Sequence, residues 1–114
     1  MKRFPIEGRT ICNAVVCDGY AYIVATDPDC ADGIAAQTRG ALGQLDRLLM
    51  KAGSSKAGLI QATVYLSDIS SKTQMDVEWS KWIGPQENWP QRACVGVALE
   101  EGYLIEIVVV SKVS

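Results

Sequence analysis

The sequence predicts a single α+β domain, residues 1–114, with two helices packed on one face of a mainly antiparallel or mixed sheet, in the order ββαβαββ. Three observations carry this. Residues 10–17 (TICNAVVC) and 20–26 (YAYIVAT) are β-rich runs on either side of Asp18-Gly19, a strong signal for a two-residue hairpin turn. Two later segments place apolar residues at helical spacing, with a β-rich run between them. The chain then ends on two further β-rich runs, 91–99 (QRACVGVAL) and 103–111 (YLIEIVVVS). A length of 114 residues accommodates one hydrophobic core.

The first helical segment presents Ile34, Thr38, Ala41, Leu42, Leu45, Leu48 and Leu49 on one side. Asp32 is its expected N-cap and Gly53 the left-handed residue after its last turn. Residues 59–66 (LIQATVYL) read as a strand. Ser70 or Ser71 caps the second helix, whose stripe is Met75, Trp79, Trp82 and Ile83, and Gly84-Pro85 ends it. Glu100-Glu101-Gly102 joins the last two strands as a three-residue hairpin loop with Gly102 in the left-handed position.

That loop would pair Leu99 with Tyr103 and put even-numbered residues of both strands on a common face. Arg92, Cys94 and Gly96 would then share a face with Glu106 and Val108. A two-residue loop would send Glu106 to the opposite face. Val95, Val97, Ile105, Ile107 and Val109 suit the helix-covered core. The other face, with Cys94, Leu104, Val108 and Val110, is too apolar to stay wet, and such a patch usually marks an interface. A homo-oligomer is the expectation.

Composition narrows the chemistry. Apolar residues make up 48% and charged residues 21%, ordinary for a soluble globular protein. No apolar run is long enough to span a bilayer, and MKRFPIEGR lacks the apolar stretch of a secretory signal. A cytoplasmic location with no membrane partner is the expectation. Cys12, Cys17, Cys30 and Cys94 have no CxxC spacing, and the chain contains no histidine. The common zinc patterns and the Ser-His-Asp and Cys-His nucleophile arrangements are therefore absent. Four reduced, mostly buried thiols are expected. The formal charge is −2 and the eleven basic residues are scattered, so no phosphate-tracking stripe points to nucleic acid.

Two charges stand where strands prefer apolar residues: Arg92 in NWPQRACVGV and Glu106 in YLIEIVVV. The bare residues admit an ion pair within a subunit interface. They equally admit a clamp for a carboxylate ligand.

With AVVCDGYAYIVA, LIQATVYLSDI, MDVEWSKWI and, above all, WPQRACVGVAL with YLIEIVVV, the chain resembles the YjgF/RidA family of small trimeric proteins, also labelled L-PSP endoribonucleases. The resemblance spans nearly the whole chain. It implies a chorismate-mutase-like fold, a homotrimer, and clefts between neighbouring subunits. It also implies hydrolysis of 2-imino or 2-enamino acids to 2-oxo acids and ammonia, without metal or organic cofactor. Arg92 matches the family's carboxylate-gripping arginine, Cys94 the residue whose backbone groups position substrate or water, and Glu106 the water-orienting glutamate. Tyr22 and Val24 fall in the matching second-strand segment, and Asp76 stands where the family usually has asparagine. The family's first-strand Tyr-Ser-Gln-Ala reads here Ile11, Cys12, Asn13, Ala14. The later Tyr-x-Ser-Gly-Gln reads Tyr22, Ile23, Val24, Ala25, Thr26. These departures imply a divergent subgroup. Besides the deaminase, a non-catalytic carboxylate-binding protein and, less favoured, a ribonuclease remain open.

Overall fold

The computed structural model describes residues 1–114. Six strands form one sheet: β1 (Lys2–Pro5), β2 (Cys12–Cys17), β3 (Tyr20–Ala25), β4 (Leu59–Leu66), β5 (Gln91–Gly96) and β6 (Ile105–Lys112). Two helices, α1 (Ile34–Lys51) and α2 (Lys72–Ile83), follow β3 and β4. The spatial order is β1-β2-β3-β6-β4-β5. Every pairing is antiparallel except β4 with β5. Both helices pack on one face, as the apolar periodicity predicts. No helix is long and apolar enough to cross a membrane.

The local signals explain most boundaries. Asp18 and Gly19 have φ of 52° and 84°, the left-handed pair of a tight hairpin, and close Cys17 against Tyr20. All seven predicted apolar-face residues of α1 are buried, joined by Gln37. Gly53, at φ 79°, ends α1, with the Ser54 N–H donating to the Leu49 carbonyl. Met75, Trp79 and Ile83 are buried on α2, whereas Trp82 is only half-buried.

Two cap expectations are corrected. Gly33, not Asp32, is the α1 N-cap, and no side chain caps that helix. The turn before α1 is organised instead by Asp27, whose buried carboxylate accepts N–H groups from Asp29 at 3.0 Å and Ala31 at 2.9 Å. Ser71 stands at the α2 N-cap, but its hydroxyl donates to the Asp68 carbonyl rather than capping the helix.

A strand precedes the predicted order. β1 is short, carries one large apolar residue, Phe4, and ends in proline, so it has little alternating signal. Proline is tolerated there because β1 is an edge strand. Phe4 lies beneath the ammonium groups of Lys2 and Lys51, at 5.2 and 5.6 Å.

The predicted hairpin between the last two strands does not form. β5 ends at Gly96, β6 begins at Ile105, and β4 lies between them. The chain between β4 and β5 contains α2, and a β-α-β unit with parallel strands needs such a crossover. β6 fills the space between β3 and β4, where its apolar run gains partners on both sides.

This topology overturns the shared face. In register, Ala62, Val64 and Leu66 of β4 stand beside Arg92, Cys94 and Gly96 on one side and Val109, Ile107 and Ile105 on the other. All lie on the helix-covered face, where Ala62, Val64, Leu66, Ile105, Ile107 and Val109 are fully buried. Glu106 pairs with Tyr65 and Val108 with Thr63, on the opposite face. Arg92 and Glu106 of one chain are therefore on opposite sides of the sheet. By the same alternation Val95 and Val97, expected in the core, are exposed.

Asp27 also fixes a contact on α1. A β-carbon on Gly40 would overlap the Asp27 carboxylate. In an open helix, Gly→Ala gains about 1 kcal/mol from propensity. Here Gly40→Ala is expected to destabilise the protein by about 2 kcal/mol through overpacking, read as a lower urea midpoint. A raised midpoint would contradict the packing.

Candidate functional site

Arg92 sits near the start of edge strand β5, on the side covered by α2. Its side chain is 19% exposed and is held on three sides. Nη2 donates to Asp76 Oδ1 at 2.6 Å, Nη1 lies 3.8 Å from Met75 Sδ, and the guanidinium carbon stands 5.1 Å from the Trp79 ring centroid. The three holding residues come from α2, which crosses β5 with Met75, Asp76 and Trp79 towards it. Stacking on an aromatic face and pairing with carboxylate are the two contacts guanidinium makes best. An open groove of about 360 Å³ gives access, lined by Asp76, Trp79, Ser80, Ile83, Trp89 and Arg92.

Asp76 is shared. Its second oxygen accepts from Lys72 Nζ at 2.7 Å, one turn earlier on α2. Burial alone would push the Asp76 carboxyl up, but hydrogen bonds from Lys72 and Arg92, and their charges, hold it below the ordinary carboxylate range. Cys94, two residues beyond Arg92, is half-buried on the same face. Burial pushes its thiol above the ordinary range, against the opposing charges of Arg92 and Lys72.

The second group of residues lies on the other side of the sheet. Glu106, half-buried, lines a cleft of about 230 Å³ with Val24, Asn13, Thr26, Arg9 and Tyr103. No cation lies within ion-pair distance of Glu106. The wall carrying Tyr103 is held from the core side by Gln37. Its amide donates to the carbonyls of Ala31 and Gly102, at 3.1 and 2.8 Å, and accepts the Leu104 N–H at 2.7 Å. Tyr22 is exposed on this face and shares a shallow apolar depression with Val24, Val108 and Val110.

Of the six residues singled out from sequence, the structure thus gathers Arg92, Cys94 and Asp76 on one side. Val24 and Glu106 line a cleft on the other, with Tyr22 close by. Sequence reading missed Lys72, although its i,i+4 spacing from Asp76 at a helix start is a readable pair. Trp79 belongs to the buried stripe of α2, yet its ring also seats Arg92. Gln37 shows as a polar residue in an apolar stripe. Arg9, in a turn, leaves no periodic signal.

An α+β sandwich with a caged guanidinium at one sheet edge and an unpaired carboxylate in a cleft on the opposite face defines a small-domain class with ligand-accessible polar sites. The comparisons give the family. The family model described as Endoribonuclease L-PSP matches residues 12–113, and the chain belongs to this family, the YjgF/Rid group. A RutC family protein from Haemophilus ducreyi is 30% identical over 101 residues, covering 87% of this chain and 86% of that protein. The crystal structure of a YjgF family member from Neisseria meningitidis superposes with a TM-score of 0.91 at 28% identity, over 99% of this chain and 94% of that one. A Yersinia pestis protein of the conserved Rid family, described as of unknown function, gives a TM-score of 0.86 at 26% identity, over 99% and 95%. The two-helix, mixed-sheet architecture predicted from sequence is the one these structures share.

The raised Cys94 thiol carries a chemical expectation. Thiolate is the reactive form, so iodoacetamide should modify exposed Cys30 ahead of Cys94 near neutral pH. Cys94 labelling should rise with pH and keep rising beyond the ordinary thiol range before it levels off, because burial pushes its thiol up. Mass mapping of the labelled peptides checks this; preferential labelling of Cys94 at neutral pH would contradict it.

Proposed function

We propose that this chain hydrolyses 2-imino or 2-enamino carboxylates to 2-oxo acids and ammonia, in a cleft built by two copies. Arg92 of one copy grips the substrate carboxylate, and Glu106 of a neighbouring copy orients the attacking water. The observation that carries the reading is the half-buried Arg92 guanidinium, seated on Trp79 at an open groove. Guanidinium and carboxylate match bidentately, and in a partly dry site that pairing orients as well as binds.

The rest follows from imine chemistry. The C=N carbon is already electrophilic, so holding carboxylate and water in place supplies much of the rate. Water adds to that carbon, a proton passes to nitrogen, and the C–N bond breaks to leave the 2-oxo acid and ammonia. A carboxylate without a cation partner, as Glu106 is, suits accepting the water's proton. A protonated Cys94 thiol leaves to that residue the positioning its backbone can provide on an edge strand, where half the amide groups have no sheet partner.

Two copies are required because Arg92 and Glu106 lie on opposite sides of one sheet. The face away from the helices exposes Tyr20, Tyr22 and Val95, an apolar surface of the kind oligomers cover. A homotrimer covering this face is the assembly proposed.

A second reading has one observation in its favour: Asp76 already occupies Arg92. A protein that binds 2-oxo acids without turnover would show thermal stabilisation by them and no ammonia release. Ribonuclease activity, which the family description names, finds no phosphate-tracking basic stripe in this chain of net charge −2.

The test generates several imino acids in situ with an amino-acid oxidase and follows their decay with and without the protein. Arg92→Ala is expected to lower the accelerated decay by about 100-fold or more, with the sedimentation coefficient unchanged. Undiminished decay in that variant would overturn the role of Arg92.

A further inference from the structure

The cluster at the start of α2 contains more than a clamp. Lys72, Asp76 and Arg92 form a chain of two ion pairs through one carboxylate, 2.7 Å on one side and 2.6 Å on the other. The two pairs are not equivalent. Arg92 is the most enclosed of the three, 19% exposed against 35% for Asp76 and 46% for Lys72. Lys72 and Asp76 lie one turn apart on a single helix, so their pairing survives any rearrangement at β5. The Arg92–Asp76 pair spans two elements and faces the groove. A ligand carboxylate entering that groove must compete with Asp76 for the guanidinium.

Resting on the assignment of Arg92 as the carboxylate clamp, we infer that Asp76 is an internal counterion, surrendered by Arg92 to Lys72 when a ligand carboxylate binds. In the empty site Asp76 satisfies a half-buried cation that would otherwise be unpaired. In the filled site the ligand takes the guanidinium while Lys72 keeps Asp76 neutralised. The three side chains sum to one positive charge, so a ligand with a single carboxylate brings the cluster to neutrality. Lys72 and Asp76 thereby act as positioning residues that set affinity and favour monocarboxylates through Arg92. The pull of both cations on the Asp76 carboxyl agrees with a carboxylate shared between them.

This has a signature that a structural role lacks: removing one partner strengthens binding, and removing the other weakens it. The probe is 2-oxobutyrate, titrated calorimetrically into the assembled wild-type protein and its Asp76→Asn, Lys72→Met, Lys72→Met/Asp76→Asn and Arg92→Ala variants, each checked by thermal melting. Asp76→Asn is expected to tighten binding by about tenfold, because the competitor is gone. Lys72→Met is expected to weaken it by about tenfold, because Asp76 then has no other cation, and to have no effect in the Asp76→Asn background. Equal weakening by Lys72→Met in both backgrounds would mean that Lys72 meets the ligand itself, and would overturn the inference. Weaker binding in Asp76→Asn would overturn it as well. Arg92→Ala should abolish binding; binding that survives it would remove the clamp assignment, and the inference with it. Reversed signs at Lys72 and Asp76 alongside a loss at Arg92→Ala would remove the inference alone.

Discussion

Because β5 returns beside β4 in parallel, α2 has to cross the sheet between them, and this crossover decides where the polar side chains meet. It carries Met75, Asp76 and Trp79 over the edge strand and gives Arg92 its cage. It also leaves the gap between β3 and β4 to β6, which makes that strand a central one. The strict alternation of strand side chains then separates the two misplaced charges. Arg92 turns to the helices, and Glu106 turns away from them.

Each charge is accommodated differently. Arg92 would be costly half-buried and alone, and is met by an aromatic face, a thioether and a carboxylate. Glu106 keeps its cost low by lining an open cleft near the sheet end, in a wall that Gln37 braces from the core with three hydrogen bonds. One cation already has a partner and one anion has none. A site that joined them across two copies would combine a pre-oriented guanidinium with a free acceptor.

Much of this was legible in the residues. The Asp18-Gly19 turn, the buried stripe of α1 and the end of α1 at Gly53 follow from local rules that tertiary packing did not override. The residue types of the candidate site were also legible, since a guanidinium and a carboxylate inside apolar strands are conspicuous. Their relation was not. Pairing of sequence neighbours makes residues 91–99 and 103–111 a hairpin and puts Arg92 and Glu106 on a shared face. Strand order is a long-range property, and nothing in Glu100-Glu101-Gly102 records that β4 slips between. Strand β1 escaped because its four residues hold only one large apolar side chain, and Asp27 because its role rests on contact with Gly40 of a distant turn of α1.

The most direct test of the account is complementation between two defective chains. Arg92→Ala and Glu106→Gln chains are co-expressed, the mixed assemblies are purified, and imine hydrolysis is compared with either variant alone. If each cleft takes Arg92 from one copy and Glu106 from another, random mixing leaves about one cleft in four with both residues intact, and about a quarter of the wild-type rate returns. If both residues of a site come from one chain, no mixed cleft is whole, and the mixture stays as inactive as its components.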